Sequence, residues 1–274
     1  MLNNSSYMIP EYIKQRKGAR SLTALDPEVI IYLNKGLVET KNLMEWLATD
    51  QLYLLKLVLK TINKEFWYSD FEIAIKSQKK ITANSSAKII GQTFGNLIQD
   101  TSVYDMLKSH TSDVVRCWGC WAECMYYDTI SDLITIMKPY AADPHFGVRE
   151  VVIFCCKSNL IKELDTSIDI LSRWTTDSNQ NIRRFVAESM RPIGVWTKHI
   201  TVFKSNSEKG LPLIEPLRSD PSKYVQDAVA NWLNDASKTQ PNWVKTICDR
   251  WQKESSTKET AYIVKRGLRT INKT

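Results

Sequence analysis

Four short segments with one internal plan recur along the later part of this 274-residue chain, and they constrain its fold more than any other feature. They are HTSDVVR from His110 to Arg116, DPHFGVR from Asp143 to Arg149, DSNQNIR from Asp177 to Arg183, and DPSKYVQ from Asp220 to Gln226. Their closing Arg or Gln positions are 33, 34 and 43 residues apart, and Lys265 falls 39 beyond Gln226. Periods of this size belong to helical hairpins that cannot bury an apolar face alone and therefore stack on their neighbours. In three of the segments the opening Asp precedes an apolar-periodic run and is expected to N-cap its helix. The basic residue six positions on is placed to reach an Asp of its own or a neighbouring repeat.

The chain between these segments reads as helix. Only nine Gly and nine Pro occur in the whole chain, and period-two strand patterns are scarce. Residues 43–60 carry an apolar density, broken by Thr49-Asp50-Gln51, that predicts a helix pair buried on most sides. The spacing resembles HEAT-like repeats, so the expected fold is all-α, a right-handed superhelical solenoid of helical hairpins. It is read as one domain over 1–274, with a helical region at 1–105 and recognisable repeats at 106–274. No apolar run approaches the roughly 18 residues of a membrane span, and the first twenty residues lack the charged-then-apolar order of a signal peptide. These features predict a cytoplasmic protein whose six cysteines are reduced.

Charge narrows the partner. The net charge is +7, of which residues 1–20 hold +3 and residues 241–274 hold +5, so the middle sums to −1. Basic ends on a nearly neutral middle suit an anionic partner such as nucleic acid, although solvated termini give the same count.

Three helices compare in register. In 223–235, Val225, Ala228, Val229, Trp232 and Leu233 form the apolar face, opposite Asp227, Asn231, Asn234 and Asp235. In 181–191, Ile182, Phe185, Val186 and Ser189 face inward, and Arg184, Glu188 and Arg191 form the other column; in 147–157 that column is Glu150, Phe154 and Lys157. Asp and Asn are poor helix formers, so their concentration on one face of 223–235 points to a task for that face.

RRFVAESMRPIGVWTKHI (183–200) and DPSKYVQDAVANWLNDASK (220–238) resemble the DNA alkylation repair family of HEAT-like glycosylases, nearer the AlkC branch than AlkD. IPEYIKQRKGAR (9–20) and TKETAYIVKRGLRTINK (257–273) are similar to it as well. The resemblance implies a monomer that binds duplex DNA and hydrolyses the N-glycosidic bond of N-alkylated bases such as 3-methyladenine, with no cofactor and no metal. Asp235 resembles the family's catalytic aspartate, and Glu188 and Trp196 its acidic and aromatic partners. An alkylated purine is a cationic, good leaving group; the chemistry needs a carboxylate near the oxocarbenium-like sugar more than an acid on the base.

Each assignment has a plainer competitor. Asp235 fits a cap on a helix beginning near Ala236, Glu188 an intrahelical salt bridge, and Trp196 a hydrophobic plug between repeats. Arg184, Arg191, Lys223, Asn231, Lys265, Arg266 and Arg269 are the expected DNA contacts, whereas Arg149 and Arg183 fit an internal ladder better. Trp121, Phe154, Asp227 and Asn234 are candidate pocket residues. Cys117, Cys120 and Cys124 share one helical stripe without a second ligand pair, which favours core packing over zinc.

The chain departs from the family at REVVIFCCKSNL (149–160), where Ile153, Phe154, Lys157 and Ser158 stand in place of aromatic or acidic pocket residues. That departure keeps two alternatives in view: a DNA-binding relative without activity, and a HEAT scaffold that binds protein. The sequence has no phosphate-cradling Gly-rich loop, GxSxG elbow or HExxH helix.

Overall fold

The repeat segments build their helix starts in one way, and not with the opening residue as the cap. In a computed structural model that describes residues 9–194 and 197–273, the N-caps are Ser112, His145, Asn179 and Ser222, two positions after the opening residue. The opening side chain accepts the N–H of that N-cap instead. Asp143 takes it from His145 at 2.7 Å, Asp177 from Asn179 at 2.9 Å, and Asp220 from Ser222 at 2.8 Å. In the first segment His110 Nδ1 accepts from Ser112 at 2.9 Å, so a neutral imidazole does the work of a carboxylate. Burial, with Arg116 adding to it, pushes the His110 pKa down to about 4.

The closing residue folds back over the same turn. Arg116, Arg149 and Arg183 donate through Nη1 to the carbonyls of His110, Asp143 and Asp177 at 2.8, 2.7 and 2.8 Å, and Gln226 Nε2 donates to Asp220 O at 2.8 Å. Arg183 also grips the Asp220 carboxylate of the following repeat, at 2.6 and 3.0 Å. These contacts make Arg149 and Arg183 ladder residues.

The described residues form seventeen α-helices and no strand, and divide into two compact units, Met1–Tyr126 and Tyr127–Thr274. The boundary falls beyond the first repeat segment, which therefore belongs to the first unit. The first unit holds α1 (Glu11–Gln15), α2 (Pro27–Asn34), α3 (Leu43–Ala48), α4 (Gln51–Thr61), α5 (Tyr68–Lys76), α6 (Ala83–Leu97), α7 (Thr101–Ser109) and α8 (Asp113–Glu123). The second holds α9 (Ile130–Ala141), α10 (Phe146–Lys162), α11 (Leu164–Ser172), α12 (Gln180–Ser189), α13 (Thr201–Ser205), α14 (Leu211–Ile214), α15 (Lys223–Ala236), α16 (Pro241–Glu254) and α17 (Lys258–Gly267).

In the first unit Phe71, Phe94, Val114, Val115 and Trp118 centre a core that α4 to α8 share. The predicted pair at 43–60 is present as α3 and α4, with Asp50 capping α4 by accepting from Leu52 and Tyr53 N–H. It is less buried than its apolar density suggested: Leu43, Leu47, Leu52 and Tyr53 are exposed. Apolar density measures composition and does not say which of these side chains a neighbouring helix covers.

In the second unit the apolar faces read from register are buried: Ile182, Phe185 and Val186 on α12, and Val225, Ala228, Val229, Trp232 and Leu233 on α15. Helices α10, α12, α15 and α17 follow one another in contact. This brings the polar columns of consecutive repeats side by side.

Candidate functional site

Asp235 sits in the last turn of α15, and no helix begins at Ala236; the next one, α16, starts at Pro241. The capping alternative is therefore excluded. A carboxylate near a helix C-terminus faces the negative end of the macrodipole, and Asp235 is in addition only 2% exposed. Cations from two directions offset that cost. Arg191 reaches Asp235 Oδ2 through Nε and Nη2, both at 2.8 Å, and Lys238 Nζ lies 3.1 Å from Oδ1.

Arg191 holds the second carboxylate too, with Nη1 2.8 Å from Glu188 Oε1. One guanidinium thus joins Glu188 and Asp235, residues from successive repeats. Burial opposes the Arg191 charge, but Glu188 and Asp235 outweigh it and leave its pKa above the ordinary arginine value. Glu188 is the more accessible carboxylate of the pair. Its predicted salt bridge is real, though with Arg191 and not Arg184.

Arg184 turns the other way. It is buried, bonds Glu150 Oε1 at 2.5 Å and stacks on the Tyr224 ring at 4.5 Å. In the free protein, then, both Arg184 and Arg191 are committed to internal partners. Phe154 is half-buried on α10 between the levels of Glu150 and Lys157.

From the sequence Lys157 belongs to the polar column of 147–157 and departs from the family pattern; the structure instead buries it. Its side chain is 2% exposed, and Nζ donates to Ser189 O at 2.6 Å and Arg191 O at 3.0 Å. Burial pushes its pKa down to about 8. The signal was available: a lone lysine within the apolar run VVIFCCK.

The polar face of α15 meets polar side chains of α17 and the residues after it. Tyr262 OH donates to Asp227 Oδ1 at 2.6 Å, and Arg266 Nε lies 3.5 Å from the same oxygen. Arg269 Nη2 donates to Asn231 Oδ1 at 2.9 Å, and Thr270 Oγ1 to Asn234 Oδ1 at 2.8 Å. Helix-poor residues on this face thus tie the last two repeats together. Burial, then the like charge of Arg266, lowers the Arg269 pKa. Lys223, Lys265 and Arg266 remain exposed, Lys223 with Nζ over the Tyr262 ring. Sequence reasoning did not single out Tyr224, Tyr262 or Lys238, since their significance lies in partners some distance away in the chain.

Two further expectations lie outside the described part of the second unit. Trp196 lies outside the described residues. Trp121 belongs to the first unit, half-buried on α8 with Lys88 Nζ 5.3 Å from its ring centroid. Cys117 and Cys120 on α8 and Cys124 at its C-cap are buried, and Cys155, Cys156 and Cys248 are buried in the second unit.

Residues 148–262, which include the Glu188–Arg191–Asp235 cluster, match the family described as DNA alkylation repair enzyme. The Bacillus subtilis (strain 168) protein YhaZ is 35% identical over 120 residues, 44% of this chain and 33% of YhaZ. The chain therefore spans about a third of that relative's length. Among solved structures, Pseudomonas fluorescens alkylpurine DNA glycosylase AlkC, bound to DNA containing an abasic site analog, is similar with a TM-score of 0.66 at 20% identity. That likeness covers 81% of this chain and 62% of AlkC. AlkD2 from Streptococcus mutans is similar with a TM-score of 0.56 at 22% identity, covering 73% of this chain and 95% of AlkD2.

Proposed function

From the match of residues 148–262 to the DNA alkylation repair enzyme family, we propose that this protein is a monomeric, monofunctional DNA glycosylase that acts on N-alkylated bases such as 3-methyladenine in duplex DNA. The observation that carries the reading is the pair of carboxylates, Glu188 and Asp235, held on one buried arginine within the matched segment.

An alkylated base bears a positive charge, so the bond from C1′ to the ring nitrogen breaks without prior protonation of the base. The sugar gains positive charge as it does so. A fixed carboxylate stabilises that charge, and it can orient the water that adds to C1′ and accept its proton. Glu188 is the group the lesion meets first. Asp235 Oδ1 becomes available when Lys238, whose side chain is 43% exposed, swings away toward a phosphate. Lys223, Lys265 and Arg266 grip the backbone. The Asp227–Tyr262 and Asn231–Arg269 contacts fix the surface from which they do so. Trp196 and Phe154 are the stacking candidates for the lesion or its sugar. The working location is the cytoplasm; no helix among the described residues is long and apolar enough to cross a membrane.

The burial of Asp235 also favours a second reading, a relative that binds DNA without cleaving it. Release of 3-methyladenine from methylated duplex DNA separates the two. Wild type should release base and Asp235→Asn should be slower by on the order of a hundredfold or more. Equal, background-level release from both defeats the glycosylase reading.

A further inference from the structure

Helix α12 ends in the protein interior, where its terminal carbonyls cannot turn to water. The last carbonyls of a helix have no intrahelical partners; here Ser189 closes α12, Met190 is its C-cap and Arg191 follows, and all three are buried. Two side chains from flanking helices satisfy them. Lys157 of α10 donates to Ser189 O and Arg191 O at 2.6 and 3.0 Å, and Trp232 of α15 donates through Nε1 to Met190 O at 2.9 Å. Three consecutive carbonyls are thus clamped at the point where the chain presents the Arg191 guanidinium to Glu188 and Asp235.

A lysine is a costly choice for this task. Its hydrogen bonds go to carbonyls and not to a carboxylate, and burying an ammonium carries a desolvation cost that a methionine of similar length would not. The negative end of the α12 dipole offsets part of that cost. What the lysine supplies in return is geometric: one atom ties the main chain on both sides of Met190.

We infer that Lys157 is a positioning residue, which fixes the main chain of residues 189–191 so that Arg191 holds Glu188 and Asp235 in their working arrangement. The inference rests on the glycosylase reading of those two carboxylates. Lys157 is buried with its donors spent on main-chain carbonyls, so it acts through Arg191. A displacement of about 1 Å at a reacting group can cost on the order of a hundredfold in rate, and the clamp acts on that scale.

The test uses the full chain as wild type, Lys157→Met and Lys157→Gln. Methionine keeps the length and removes the donors; glutamine keeps two N–H donors on a shorter arm that cannot span both carbonyls. Two quantities are read: single-turnover release of base from a duplex oligonucleotide carrying 3-methyladenine, with its half-saturating concentration, and the Arg191 Nε–H resonance, assigned with Arg191→Lys. In Lys157→Met the rate should fall about ten- to hundredfold, with half-saturation within about threefold of wild type and the Arg191 resonance broadened; Lys157→Gln should be intermediate. A wild-type rate and an unchanged resonance in Lys157→Met overturn the inference. If Lys157→Met does not fold, Lys157→Gln decides: a reduced rate at unchanged half-saturation supports the positioning role, and a wild-type rate refutes it. A wild-type protein that releases no base ends the glycosylase reading, while the resonance still reports whether Lys157 positions Arg191.

Discussion

In the first unit α8 lies against α6 across two glycines; in the second, the end of α12 meets the last turn of α15 through an arginine and two carboxylates. A Cβ added to Gly91 would sit 2.6 Å from the Trp118 carbonyl oxygen, and one on Gly95 3.1 Å from that of Ala122. The small residues let the backbones approach and let Phe94 and Trp118 stack, their centroids 6.3 Å apart. In the second unit Arg191 and Asp235 are buried, with Glu188 half-buried beside them. Apolar packing would hold α12 to α15 at lower cost, since buried ion pairs recover their desolvation only with good geometry. Where a fold retains the dearer solution beside an available cheaper one, the residues involved are candidates for function. The same contrast appears in the repeat turns: the first unit uses His110 where the second uses Asp143, Asp177 and Asp220.

The contrast can be broken most severely at Arg191. Replacing it with methionine leaves Glu188 and Asp235 in place without their shared cation, and stability in urea should fall by about 3–5 kcal/mol. Adding Asp235→Leu to that variant should restore most of the loss while leaving base release at background. A loss below about 1 kcal/mol for the single variant would mean that the pair is not desolvated.

The next effect is one of pH. His110 has a folded pKa of about 4 against an ordinary 6.5, so below pH 6.5 the unfolded chain binds a proton that the folded one refuses. The neutral His110 turn is fully stabilising above pH 6.5, and that contribution is lost as pH falls toward 4, by up to about 3 kcal/mol. His110→Asp, which installs the residue of the other turns, should flatten the slope of stability between pH 6.5 and 4. An unchanged slope would remove the turn from the explanation.

The smallest effect is expected at Gly91→Ala. Its new methyl meets a main-chain carbonyl and the Trp121 Cβ, neither of which yields as a flexible side-chain end does. A destabilisation of about 1–3 kcal/mol by thermal melting is the expected cost of overpacking. A neutral result would show that the approach of α6 to α8 is looser than that of α12 to α15.

Much of the helical plan was legible because periodicity is a property of one segment. The apolar faces of α12 and α15 and the turn ladder of Arg149 and Arg183 follow from spacing. The cap position was misread by two residues, since Asp serves a turn before a helix as readily as it serves a cap. The site was less legible. Glu188 and Asp235 follow from resemblance, Arg191 reads as a phosphate contact, and Lys157 reads as a polar-column residue in the place of an aromatic or acidic pocket side chain.

The sequence by itself determined that this chain forms stacked helical pairs, which residues of each helix face inward, and that its ends carry the excess positive charge. Only the tertiary structure decided which charges meet. Arg191 and Asp235 are 44 residues apart and Lys157 and Ser189 32 apart, separations with no local periodicity to report them. An isolated helix exposes its polar column to water, where an arginine is as free to meet phosphate as carboxylate. Stacking the next repeat on that column removes the water, and the desolvated guanidinium then takes the partners that the neighbouring helix brings within reach.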